Sequence, residues 1–249
     1  KALVTNSNLS GPTGINNAVD LNNGFMYTCN AWAGYDFSNS GPGSPVAATN
    51  DLVKGLDQGT TAKTRIGNKI SVKYIKGAMT LTGAKLATPV DAGVNMHGEG
   101  LATPSVAVTA WQFLRTTWRC VIVKDMQVNS KSDRVNWDDV FENGPGAVGE
   151  TGGVHAELKV ENMGRFKVLS DQYVSTDAKD PQKTIRFLIP AKDVGSVRYN
   201  GPTGTSLTDK GIYVIWAAYV SNVTAAASAS DGMVSPTFTM HSRLCFTDD

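Results

Sequence analysis

Apolar and polar positions alternate with a period of two along much of the chain, and a period of 3.6 is nearly absent. In KISVKYIKGAMTLT, Ile70, Val72 and Tyr74 alternate with Lys69, Ser71 and Lys73, the pattern of a strand with one buried and one polar face. The phase slips near Ile75 and Lys76, after which Met79 and Leu81 carry the apolar face, so a bulge or bend is expected there. WRCVIV, at Trp118 to Val123, is an unbroken and largely β-branched run that suits burial on both faces. Further strands are expected at Arg165 to Val174, Gln182 to Pro190, VRYNG, Gly211 to Val220 and Pro236 to Asp248. RVNWDDVFENG breaks the pattern: Asn136 can cap a short helix with Asp139 as its third residue, Val135 and Val140 form a hydrophobic staple, and Gly144 can end it.

The first 58 residues read differently. NSNLSGPTG and NSGPGSP are dominated by turn-forming residues, with short aromatic pieces such as FMYTCNAWAGYDF between them. The expectation is a partly ordered arm over 1–58 holding one or two short strands, followed by one domain over 59–249. Many short strands between Gly, Pro, Asn and Asp loops, with one or two short helices, indicate an antiparallel sandwich or barrel. The 249 residues suffice for one such domain, and the 25 glycines and 10 prolines make it loop-rich.

No run reaches the roughly 18 to 20 continuous apolar residues of a membrane helix; Gly211 to Ala227 is interrupted by Ser221, Asn222 and Thr224, so no membrane partner is expected. Lys1 opens the chain without a hydrophobic leader, and the front end indicates no compartment. Cys29, Cys120 and Cys245 are far apart and in no C-x-x-C pattern, which favours buried, reduced thiols over a zinc cluster or disulfide scaffold. One structural disulfide with a leftover thiol stays open.

Catalytic patterns fail one by one. GPGAVG (Gly144 to Gly149) matches G-x-G-x-x-G but follows a helix instead of a strand and carries Pro145. No phosphate loop, nucleophile elbow or H-E-x-x-H is present, and His97, His155 and His241 are scattered without partners at metal spacing. Asp133, Asp138, Asp139 and Glu142 cluster, but Asp138 and Asp139 fall in the first helical turn, where negative charge complements the dipole without a metal. The expectation is a protein that is not an enzyme and uses no cofactor and no metal. Trp111, Trp118, Trp137, Tyr213 and Trp216 lie in or beside strands and read as core, with stacking on bases an alternative for one or two.

Charge changes this picture locally. The net charge is +1, from 23 basic and 22 acidic residues, so no global field announces a partner. Yet Gln58 to Val90 holds Lys63, Arg65, Lys69, Lys73, Lys76 and Lys85 and no acidic residue. Arg65, Lys69 and Lys73, along one strand and its approach, are the candidate nucleic-acid contacts.

Four blocks, in order, resemble the coat proteins of small circular single-stranded DNA viruses that encode a rolling-circle replication protein. They are GTTAKTRIGNKISVKYIKGAMTL (Gly59 to Leu81), WRCVIVKDMQVNSKSDRVNWDDVFE (Trp118 to Glu142), RFKVLSDQYVS (Arg165 to Ser175), and GIYVIWAAYVSN with FTMHSRLCFTDD (Gly211 to Asp249). The shell domain is also similar to that of satellite tobacco necrosis virus. The resemblance implies a single eight-stranded antiparallel jelly roll, two four-stranded sheets face to face, whose first strand is Gly59 to Leu81. It implies a capsid protein assembling with copies of itself into an icosahedral shell around single-stranded DNA, found in the virion and, during assembly, in the host nucleus. A host receptor is implied without being specified. Arg-x-Gly-Asn-Lys and Arg-Phe-Lys-Val-Leu are nearer to the DNA group than to coat proteins of small RNA viruses or satellites, which remain an alternative. The family's Arg/Lys-rich arm is not matched, since residues 1–57 hold only Lys1 and Lys54, and Thr82 to Ser105 is a long Gly/Ala/Pro-rich connection expected to be a surface excursion. A rival is a lectin-like β-sandwich module with Trp111 or Trp137 as a sugar platform.

Overall fold

The structure, a computed structural model, describes residues 1–9, 15–21, 24–29, 34–36, 50–89, 109–128, 135–142, 153–202, 209–221 and 233–248. Its strands are β1 (Ala2–Leu9), β2 (Ile15–Leu21), β3 (Gly24–Cys29), β4 (Gly34–Asp36), β5 (Lys69–Thr82), β6 (Lys85–Pro89), β7 (Thr109–Phe113), β8 (Thr116–Asp125), β9 (Phe166–Thr176), β10 (Gln182–Pro190), β11 (Ser196–Arg198), β12 (Gly211–Ser221), β13 (Met233–Val234) and β14 (Thr237–Asp248). Two one-turn helices, α1 (Trp137–Val140) and α2 (Ala191–Val194), interrupt them.

These strands make an all-β sandwich. One sheet has the order β10-β5-β14-β1-β4, with β11 also on β5; the other has the order β2-β3-β12-β8-β9, and every pairing is antiparallel. The sheets close on a shared core. Ile70, Val72, Ile75, Met79 and Leu81 of β5, with Phe238, Met240, Leu244 and Phe246 of β14, join one cluster with Trp118, Cys120 and Ile122 of β8 and Ile212, Val214 and Trp216 of β12. Trp216 sits between Trp118 and Phe238, with ring centroids 5.3 and 5.7 Å away. Burying each such side chain contributes on the order of 2 kcal/mol, so these rows anchor both sheets.

The boundary expected after residue 58 is not a boundary between an arm and a shell. All eight residues of β1 pair with β14, from Ala2↔Cys245 to Leu9↔Phe238, and β3 pairs with β12. The 1–58 segment therefore supplies four strands, not one or two, and β5 is not the first strand of its sheet. Asn and Ser are poor strand formers alone, but a ladder to a partner at the opposite end of the chain overrides local propensity.

The expected slip in β5 is real and lies earlier. Val72 pairs with Phe246 and Tyr74 with Cys245, so Lys73 is the extra residue of a bulge. Tyr74 is thereby turned away from the core to the side of Lys76, whose ammonium lies 5.5 Å from its ring centroid, and Ile75 takes the buried place.

β8 is buried on both faces, as its composition indicates. Behind it Val121 and Val123 pack with Trp137, Val140, Phe141 and Val154 in a second cluster that covers the second sheet's outer face. The staple residues Val135 and Val140 are both buried, and the Asp139 carboxylate accepts the Asn136 backbone N–H at 2.8 Å. The helix lasts one turn, closing as the Phe141 N–H donates to the Trp137 carbonyl at 2.9 Å; Gly144 and GPGAVG lie outside the described residues. Within the Thr82 to Ser105 connection, β6 pairs with β7 and β13 in a small third sheet, and 90–105 lie outside the described residues.

Candidate nucleic-acid interface

The two sheets treat their outer faces differently. On the second sheet the cations are paired inward: the Arg119 guanidinium donates to both Asp171 carboxylate oxygens (3.0 and 2.7 Å) and to the Val154 and Ala156 carbonyls (3.1 and 2.6 Å). Arg165 likewise clamps the buried Asp125 at 2.7 Å. Such charges hold loops to the sheet.

On the outer face of the first sheet, Lys76, Arg186 and Arg243 have no carboxylate partner among the described residues. Pairing places Lys76 of β5 between Leu188 of β10 and Arg243 of β14, and Ala78 between Arg186 and His241. Thr80, Thr184 and Thr239 continue the same rows, and no Asp or Glu occupies an outward position of β5, β10 or β14 along them. Lys76 and Arg243 stand directly opposite each other, an arrangement that costs on the order of 0.2 to 1 kcal/mol. Neither Arg186 nor Arg243 forms an ion pair among the described residues. Like charge at adjacent ladder positions, with no carboxylate beside it among the described residues, is suited to an anionic partner that neutralises it.

A shallow hollow of about 590 Å³ opens on this face. Lys76, Arg186, His241 and Arg243 form its rim; Gly77 and Ala78 leave its floor low; Leu188, 66% exposed, stands at one edge. Gly77 is required by the core beneath. A Cβ there would run into the His241 carbonyl and stand 2.7 Å from Phe187 Cζ.

Of the three contacts expected from sequence, the structure brings two to this face. Lys69 is half-buried opposite Arg198, and Lys73 is exposed on the bulge, both on the side of β5 away from Ile70 and Val72. Arg65 is a correction. It is completely buried, and its guanidinium donates to the carbonyls of Leu56 (3.0 Å), Gly67 (2.7 Å) and Gly201 and to Asn68 Oδ1 (2.9 Å), 4.5 Å above the Tyr199 ring. Burial pulls its pKa down, against nearby Tyr199, Asp57 and Asp248, which hold it up. With its donors committed to the interior, it pins the 56–68 segment to the loop after β11 and does not reach a ligand.

Arg186 and Arg243 were not singled out from sequence, and Lys76 only as a member of the acid-free run. Their signal is the same alternation that revealed β5: Thr184 and Arg186 in TIRFL, and Thr239, His241 and Arg243 in TMHSR, are the polar positions between apolar or buried ones. Only the strand order places them side by side.

The remaining candidates do not converge. His155 stacks on Tyr173 of β9 with centroids 5.5 Å apart, His241 lies on the other sheet, and His97 is outside the described residues. Among the described residues no group of three or more His, Cys, Asp or Glu side chains could hold a metal ion. Trp137 is buried and stacked on Phe141 at 4.3 Å, so it presents no platform to a sugar; the Trp111 side chain is outside the described residues. Cys120 and Cys245 are free thiols, the first fully buried. No helix among the described residues is long and apolar enough to cross a membrane. No family model matches the chain, and no curated protein is similar to it.

Proposed function

We propose that the chain is a viral capsid protein whose sandwich is an eight-stranded jelly roll, assembling into an icosahedral shell around single-stranded DNA. The observation that carries this reading is the order in which the chain visits the two sheets. Setting aside β2, β4, β6, β7, β11 and β13, four strands β10-β5-β14-β1 face four strands β3-β12-β8-β9. Along the chain β1, β5, β10 and β14 belong to the first sheet and β3, β8, β9 and β12 to the second. The path crosses between sheets at every step except β8 to β9, as in a double Greek key. The resemblance of four sequence blocks to coat proteins favours the same reading, with β5 as the third of the eight strands.

The mechanism asks little of side-chain chemistry. A shell subunit needs a rigid wedge with self-complementary edges, which two sheets closed on one core supply. It also needs positive charge facing the genome, because packing polyphosphate is largely a sequence-independent electrostatic task. The outer face of the first sheet, with Lys69, Lys73, Lys76, Arg186 and Arg243, is the face assigned to the lumen.

Negative-stain microscopy of the purified protein, followed by nuclease digestion of opened particles, tests the proposal. The expected result is uniform closed particles whose contents yield to DNase and resist RNase. Contents that yield to RNase alone would move the reading to an RNA virus or satellite. A small soluble oligomer with no particles under any assembly condition would overturn it.

A further inference from the structure

The hollow over Gly77 and Ala78 is more than a row of charges, because its rim and floor differ in chemistry. Lys76, Arg186 and Arg243 supply cationic donors on three adjacent strands, while Gly77, Ala78, Phe187 and Leu188 offer apolar surface between them. Phosphate alone would be served by the rim, and an apolar floor would only add surface that a hydrated anion cannot use. A flat aromatic ring carrying an anion satisfies both, and about 590 Å³ lies within the range of small-molecule pockets. His241 at the rim adds an imidazole face on which such a ring can stack.

We infer that this hollow seats one unstacked nucleobase of a single strand, with its flanking phosphates on Lys76, Arg186 and Arg243. The inference rests on the nucleic-acid reading of this face and deepens it: the contact is to a base as well as to the backbone. A duplex keeps its bases stacked and paired, so only a single strand can fill the floor. No Asn, Gln or carboxylate is among the seat's lining residues, and with Lys76, Arg186 and Arg243 given to the phosphates the base is held by stacking and apolar contact.

The test compares two labelled 12-mers of equal charge, oligo-dT and its fully abasic counterpart, by fluorescence anisotropy on the full chain at several salt concentrations. The expected result is tighter binding of oligo-dT, by about tenfold for one seated base. Ala78→Leu, which fills the floor without altering charge, is expected to bring that ratio close to one. Combined Lys76→Gln, Arg186→Gln and Arg243→Gln replacements weaken both oligonucleotides and flatten the salt slope. If the unmodified protein binds both strands equally while the charge replacements still weaken both, the base seat is overturned and the charged interface stands. If neither strand binds, or the charge replacements change nothing, both fall. The wild-type comparison decides the matter even if Ala78→Leu does not fold.

Discussion

Arg65 is the residue whose replacement separates a structural cation from a ligand contact. In Arg65→Met the stem is kept and the guanidinium removed, leaving the carbonyls of Leu56, Gly67 and Gly201 and the Asn68 side chain without its donors. Each bond from a charged donor is worth roughly 1.5 to 3 kcal/mol, but four bonds from one group do not add, and removing the buried charge recovers its desolvation cost. The net loss expected is about 2 to 4 kcal/mol, from neutral buried acceptors left without donors less the recovered desolvation of the guanidinium. For a domain of this size that lowers Tm by roughly 10 °C. Thermal and urea unfolding of the unassembled protein would measure it, with an unchanged m-value showing that the folded and unfolded states keep their character. Particles that do form at low temperature should carry the wild-type amount of nucleic acid. A stability loss below about 1 kcal/mol, or normal stability with emptied particles, would refute the placement of Arg65 in the interior.

Two further replacements probe the core and its charge. Asp51 is buried, and burial pushes its carboxyl up to about 7, although its Oδ1 accepts the Val53 and Ile212 N–H groups at 2.9 and 3.1 Å. The folded pKa is above the unfolded one of about 4, so the stabilisation is full below pH 4 and is lost as pH rises through 7. Asp51→Asn keeps an acceptor for both N–H groups; the stability difference between wild type and variant, followed from pH 4 to 8, should swing against wild type by up to about 4 kcal/mol, and a flat difference would contradict the burial of that carboxylate. Gly77→Ala places a methyl against the His241 carbonyl and Phe187; a loss of about 1 to 3 kcal/mol by chemical unfolding is expected, and a neutral or stabilising result would show that β5 and β14 are not so closely apposed there.

What the sequence made legible follows physical range. Alternation exposed β5, β10 and β14 because each of these strands has one face on the core, and unbroken apolar runs exposed β8 and β12 because both of their faces are covered. The capping pattern of α1 is local, and the staple and the Asp139 contact follow it closely. The bulge in β5 was visible only as a phase slip and was misplaced by two residues, since Tyr74 suits either face and only its pairing with Cys245 decides. The 1–58 segment was misread because the ladder between β1 and β14 joins opposite ends of the chain, and ALVTNSNL carries little strand propensity of its own. The interface was half legible. A run of lysines without acids points to a charged face, but the run cannot tell Lys73, on the bulge, from Arg65, whose donors meet carbonyls of its own 56–68 segment and of Gly201 in the loop after β11. Arg186 and Arg243 join Lys76 only through strand order, which no single segment encodes.

The central claim is that this sandwich builds a closed shell with the face of Lys76, Arg186 and Arg243 toward the genome. A cryo-electron microscopy reconstruction of assembled particles tests it most directly. The account predicts eight-stranded subunits in icosahedral arrangement, with the β10-β5-β14-β1 sheet lining the lumen and nucleic-acid density against its outer face. Particles in which that face points to the exterior, or a protein that never closes into particles, would contradict it.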